Sequence, residues 1–136
     1  MIAESIAKVY VGVVDDDESM RRSLLRLLSA AGFCAIGYGS AEDFLGDLKR
    51  PVFDCLVLDV QLDNLSGTEL AEKLAESGSK VPVIFLSAVR PEDVAATIPL
   101  DSRFRVLHKG QPGGYLLDAI NTSIRRSASE ATTEIS

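Results

Sequence analysis

Cysteine is scarce in this chain. The two present, Cys34 and Cys55, lie in apolar stretches without a CxxC partner or a neighbouring histidine. That placement argues against a disulfide framework and predicts two buried, reduced thiols in a cytoplasmic protein. Histidine is scarcer still: His108 is alone, so it reads as an exposed or satisfied strand-end residue rather than a metal ligand or a phosphohistidine. No apolar run approaches the ~20 residues a membrane-spanning helix needs, and the N-terminus lacks a basic segment followed by an apolar one. A soluble, intracellular protein is the expectation. Basic residues are outnumbered, 14 against 20 acids, for a formal charge of −6. Direct nucleic-acid binding, which needs clustered Lys and Arg, is therefore not expected; Arg125 and Arg126 fit a solvated helix end. Repeats, low-complexity blocks and linker-like breaks are absent from residues 8 to 126.

What is present suits one domain. The chain has 136 residues, 46% apolar and 25% charged, enough for a single sizeable core. Boundaries are expected at an N-terminal extension (1–7), a folded unit (8–126) and a frayed polar tail (127–136). Within the unit, apolar runs alternate with helical periodicity. Val9–Val14 reads as a buried strand and Ser19–Ala31 as a helix, its Leu24, Leu25, Leu27 and Leu28 core-facing, ended by Gly32. Phe33–Tyr38 is a second strand. Ser40 caps a helix, with Ser40 and Asp43 resembling a capping box and Phe44, Leu45 and Leu48 as its apolar face. Phe53–Leu58 is a third strand stopping at Asp59. A loop over 61–67, a helix over Thr68–Glu76 and a fourth strand over Val81–Leu86 follow. A short helix is predicted over Glu92–Ile98 between Pro91 and Pro99, then a fifth strand over Phe104–Leu107 and a last helix over Tyr115–Arg125. Alternation of this kind predicts an α/β fold with a parallel sheet covered by helices on both faces.

In an open parallel sheet, ligands collect at the carboxyl ends of the strands. Asp15, Asp16 and Asp17 follow the first strand, Asp59 the third, Ser87 and Ala88 the fourth, and Lys109 the fifth. Carboxylates held together raise one another's pKa, and a hard divalent cation with oxygen ligands, Mg2+ above all, relieves the repulsion. Such an ion, the Lys109 ammonium and the Ser87 hydroxyl would together stabilise a phosphoryl group, with a carboxylate as nucleophile. Taken singly, the residues have plainer readings. The three acids could cap a helix N-terminus, Asp59 could be a turn acid, Ser87 a cap and Lys109 a surface lysine.

In order, Val14-Asp15-Asp16, Leu58-Asp59-Val60-Gln61-Leu62 with Gly67 behind it, Leu86-Ser87-Ala88 and Lys109 resemble the response-regulator receiver family over residues 8 to 126. The runs from Val13 to Leu24 and from Tyr38 to Leu45 are similar to receivers of nitrogen-fixation and nitrate regulators. The resemblance implies a flavodoxin-like doubly wound (βα)5 sheet, strand order 2-1-3-4-5. It implies Asp59 as phospho-acceptor, Asp16 as a direct Mg2+ ligand, Asp15 as a ligand directly or through water, and the backbone carbonyl of Gln61 as a further ligand. Lys109 would pair with the acceptor and then the phosphoryl group, which Ser87 would follow. It further implies a histidine kinase or phosphotransfer protein as donor, an output partner the sequence does not name, and a dimer as one form the phosphorylated state could take.

The chain departs from the family pattern in four places. Lys109 is followed by Gly110-Gln111-Pro112 instead of directly by proline. Val106 stands where a switch aromatic is usual, with Phe104 two residues earlier. Asp63 replaces a proline, and Asp101-Ser102-Arg103 replace a small turn. An unphosphorylated interaction module, or the N-terminal part of a DNA-binding regulator, are the alternative readings. A phosphatase of the haloacid-dehalogenase kind would need a second Asp at position 61, which is Gln.

Overall fold

The apolar runs form a five-stranded parallel sheet: β1 (Tyr10–Val14), β2 (Cys34–Tyr38), β3 (Cys55–Asp59), β4 (Val83–Ser87) and β5 (Phe104–His108). The order is β2-β1-β3-β4-β5, so the chain reverses direction across the sheet between β1 and β3. A computed structural model describes residues 8–62, 65–89 and 103–135. The helix expected over 92–98, Asp63, Asp101, Ser102 and the first seven residues lie outside these. Four helices are described: α1 (Glu18–Ala30), α2 (Ala41–Gly46), α3 (Gly67–Glu76) and α4 (Gly113–Ile135).

The central strands read as unbroken apolar runs because both faces are buried. Along β3, Cys55 and Val57 join Val11, Val13, Ile84 and Leu86 in a cluster with Leu24 and Leu28 of α1 and Leu116, Ala119 and Ile120 of α4. Leu56 and Leu58 point the other way, into a cluster with Phe44 of α2, Leu70 and Ala71 of α3, and Phe53 and Phe85. Each fully buried side chain of this size contributes about 1.5–3 kcal/mol. The edge strands β2 and β5 are only half-buried along most of their length. That corrects one expectation: Cys34, on edge strand β2, is half-buried, whereas Cys55 is buried. Both are free, and burial pushes the Cys55 thiol up to about 12.

Helix ends follow local chemistry. Asp17 caps α1, its Oδ1 accepting the N–H groups of Ser19 and Met20 at 2.9 and 3.1 Å. Gly32 and Gly78, just past α1 and α3, adopt φ of 96° and 94°, a left-handed conformation that costs glycine little. Ser40 Oγ accepts the Asp43 N–H at 3.0 Å. The helix it starts is shorter than expected: α2 ends at Gly46, and Leu48 is 91% exposed instead of packing on the core. What ends α2 is a polar clasp. Arg50 donates to the carbonyls of Phe44, Leu45 and Asp47 and lies 4.6 Å over the Phe44 ring, while Asp47 accepts the Tyr38 hydroxyl at 2.7 Å. Helix α3 begins one residue before the predicted Thr68, because Ser66 and Glu69 form a reciprocal capping box. The last helix is the largest difference. It continues through the segment read as a frayed tail to Ile135, since no glycine or proline follows Gly114 to stop it.

Candidate functional site

Strand register brings the distant acids to one rim. Val14 lies beside Leu58, so Asp15 follows β1 next to Asp59 at the end of β3. Asp59 pairs with Leu86 and Ser87 with His108, which puts Lys109 one residue further along the same edge. Side chains alternate along a strand. Asp15, Asp59 and Lys109 continue the parity of Val13, Val57 and Leu107, all in the cluster under α1 and α4.

The Lys109 ammonium donates to Asp59 Oδ2 at 2.9 Å and stands 3.6 Å from Asp15 Oδ2. Asp59 Oδ1 accepts the Gln61 N–H at 3.0 Å, and Asp15 Oδ1 the Asp17 N–H at 2.9 Å. Asp15, Asp16 and Asp59 each present a carboxylate oxygen, and these atoms lie within 4.8 Å of one another. Asp15 and Asp59 are buried, while Asp16 is exposed at the mouth. Asp15 Oδ2 is buried without a hydrogen-bond partner. A buried orphan oxygen beside two more carboxylates is the donor set a hard divalent cation takes, and the residues present fit such an ion.

Burial, chiefly, raises the Asp15 pKa, and the charges of Asp59 and Asp16 add to the rise against the Asp17 N–H and Lys109. For Lys109 the largest single influence is burial, which lowers its pKa; the hydrogen bond to Asp59 and the charges of Asp15 and Asp59 outweigh it and hold the ammonium above its ordinary range.

Backbone packing fixes the acceptor strand end. Gly67 lies so close behind it that a Cβ there would land on the Asp59 carbonyl oxygen. Only glycine allows that approach. Ser87 is buried, and its Oγ accepts the Val89 N–H at 3.1 Å. Next to it, the Lys109 N–H donates to the Ser87 carbonyl at 2.8 Å.

Of the residues expected from sequence, Asp15, Asp16, Asp59 and Lys109 meet in one pocket, Gln61 touches it through its N–H, and Ser87 flanks it. Asp17, grouped with the acids by sequence, serves as the helix cap. Two contributors had no signal in the chain. Arg21 Nη1 donates to the Asp15 carbonyl at 2.7 Å. His108 bridges two loops: its Nδ1 accepts the Gly110 N–H at 3.0 Å, which leaves Nε2 to donate to the Ala88 carbonyl at 3.2 Å. The turn after Lys109 is held by this ring and by Gln111 Oε1, which accepts the His108 N–H at 3.2 Å. Where an aromatic was missing at Val106, Phe104 instead packs edge-on against Phe85, centroids 5.6 Å apart. A groove of about 820 Å3 lies at the opposite ends of β3 and β4, beside Phe53 and Pro82, remote from the acids. No helix among the described residues is long and apolar enough to cross a membrane.

The response regulator receiver domain family matches residues 11–121. The chain is 39% identical over 114 residues to the transcriptional regulatory protein TdiR of Thauera aromatica, covering 84% of this chain and 50% of that protein. It is 30% identical over 127 residues to the transcriptional regulatory protein FixJ of Bradyrhizobium diazoefficiens, covering 93% and 62%. The chain spans about half the length of the curated relatives it matches. Among solved structures, response regulator StyR superposes with a TM-score of 0.72 at 35% identity, over 94% of this chain and 67% of that one. A CheY-like receiver domain protein from Methanospirillum hungatei superposes at 0.78 with 20% identity, over 91% and 99%.

Proposed function

This chain belongs to the response regulator receiver domain family of two-component systems, and on that premise we propose that Asp59 accepts a phosphoryl group from a histidine kinase or phosphotransfer protein, with Mg2+ in the acidic pocket. The observation that carries the reading is the pocket itself: an Asp59 carboxylate paired with Lys109 at 2.9 Å, beside a buried Asp15 oxygen that accepts no hydrogen bond.

Asp15, Asp16, Asp59 and the Gln61 backbone carbonyl would hold the ion. When bound, Mg2+ supplies charge neutralisation to the carboxylates and to the incoming phosphoryl oxygens. An Asp59 oxygen forms the new P–O bond as the P–N bond of the donor phosphohistidine breaks, and the imidazole leaves. Gln61 N–H orients the acceptor carboxylate. Lys109, already aimed at it, turns its ammonium to a phosphoryl oxygen as negative charge arrives there. Ser87 supplies a hydroxyl on the β4 side and links the new group to the loop beginning at Ala88. The added charge then biases the surface around that loop, β5 and the last helix between two states.

Intact-mass measurement after incubation with acetyl phosphate and Mg2+ tests this. The wild type gains one phosphoryl group and Asp59→Asn gains none. An unlabelled wild type, or a labelled Asn variant, overturns it.

A further inference from the structure

Arg21 lies on α1 with its stem against β2, and its guanidinium holds one peptide carbonyl. Its Nη1 donates to the Asp15 carbonyl at 2.7 Å, and its own N–H donates to the Asp17 carbonyl at 2.9 Å. Asp15 is held elsewhere too. Its N–H donates to the Tyr38 carbonyl at 3.1 Å, and its Oδ1 accepts the Asp17 N–H. The single polar atom of Asp15 left without a hydrogen bond is Oδ2, in the pocket, with the Lys109 ammonium 3.6 Å away.

Room for the arginine is built into β2. A Cβ on Gly37 would stand 3.1 and 3.2 Å from Arg21 Cγ and Cδ, and 2.9 Å from Leu25. A Cβ on Gly39 would stand 3.5 Å from Nη1. Gly37, on β2, thus leaves room for the stem of the side chain, while at Gly39, just past the strand, a Cβ would make only ordinary contact with the guanidinium. Among the described residues, the guanidinium takes up a backbone carbonyl and no ion-pair partner. A permanent positive charge thus sits behind the acids, where on charge alone it opposes a cation, and spends its donor on geometry.

We propose that Arg21 is a positioning residue for the cation site: by gripping the Asp15 carbonyl it fixes the peptide between Asp15 and Asp16, and so sets where the Asp15 Oδ2 and the Asp16 carboxylate stand. Gly37 is part of the same device. The inference rests on the Mg2+ reading above and adds a residue to it.

Charge and geometry predict opposite signs, which makes the proposal testable by calorimetric Mg2+ titration of the full chain, with thermal midpoints measured alongside. In Arg21→Gln a repelling charge is lost; on electrostatics alone Mg2+ would bind more tightly. Positioning predicts weaker binding, by about tenfold, the scale found when an outer partner of a metal ligand is removed. Arg21→Lys keeps the charge without the planar fork, and a smaller loss is expected where charge alone predicts none. Labelling by acetyl phosphate should return toward the wild-type rate at saturating Mg2+ in both variants, since the nucleophile is untouched. Equal or tighter Mg2+ binding by folded Arg21→Gln overturns the inference; if that variant does not fold, unchanged binding by Arg21→Lys does so. If the wild type itself binds no Mg2+ and takes no label, the functional reading has failed, and this inference with it. Binding by wild type and Arg21→Gln alike sinks this inference alone.

Discussion

The Lys109 ammonium and the Asp59 carboxylate meet at 2.9 Å although 50 residues separate them in the chain. The pair sits in the acidic pocket beside Asp15, and its two members depend on each other. Lys109 supplies charge to a carboxylate that is almost fully buried, and Asp59 holds the amine where an arriving phosphoryl group would need it.

Lys109→Met should therefore separate cation binding from transfer. With the competing ammonium gone, Mg2+ affinity is expected to hold or to rise, because a positive charge 3.6 Å from Asp15 Oδ2 has been removed. Labelling by acetyl phosphate should fall by about 10²-fold, the scale of losing one aimed donor. Parallel Mg2+ titration and timed intact-mass labelling check this; equal losses in both would argue against the division of roles.

Asp15→Asn should stabilise the metal-free protein. The Asp15 pKa is raised above its ordinary value of 3.8, mainly by burial, so ionising it costs the fold stability as pH rises from that value through the higher folded-state one. An amide of the same shape can keep the Asp17 N–H bond without the charge. A gain on the order of 1 kcal/mol corresponds to about 3–5 °C in Tm for a domain of this size. Thermal unfolding with and without Mg2+ would show a higher midpoint and a lost metal-dependent shift, and a lower midpoint would contradict the account of the pocket.

Gly67→Ala should damage the site through the backbone. The added methyl would meet the Asp59 carbonyl oxygen, and the strand end or the start of α3 must move. Overpacking of this kind costs about 1–3 kcal/mol. Urea unfolding measures the loss, and weakened labelling at full Mg2+ should accompany it. A variant as stable and as active as wild type would show that the close approach is dispensable.

Tyr38 should ionise late and carry an alkaline limit to stability. Burial first, then its hydrogen bond to Asp47, pushes the phenol up to about 12. With the unfolded value near 10.0, the contribution of Tyr38 is fully present below pH 10 and is lost as pH rises from there through 12. Phenolate absorbance against pH should contain a component near 12 that disappears in Tyr38→Phe, and that variant should lose less stability across the same window.

Much of this was written in the chain. Apolar runs broken by Gly32, Pro51 and Gly78, with helical leucine spacing between them, determine alternating strands and helices, because a strand buried on both faces must be apolar throughout. Placing acids and a lysine directly after those runs also determines that they reach one rim, since parallel strands share a direction. Other features were not legible, for physical reasons. The length of α4 was missed because Ser, Ala and Thr permit a helix without demanding one. Leu48 was misplaced because the clasp that ends α2 links Arg50 to the Asp47 carbonyl and the Asp47 carboxylate to Tyr38 of β2. Local periodicity cannot report which glycine touches which carbonyl, which of three consecutive aspartates caps the helix, or that Arg21 and His108 brace the pocket walls. Those relations are set when strands take their register and helices settle on them. The sequence thus determined the elements, their order of types and the rim chemistry. The tertiary structure alone decided the distances that make the rim a site, because a hydrogen bond fails over a few tenths of an ångström and only packing fixes positions that finely.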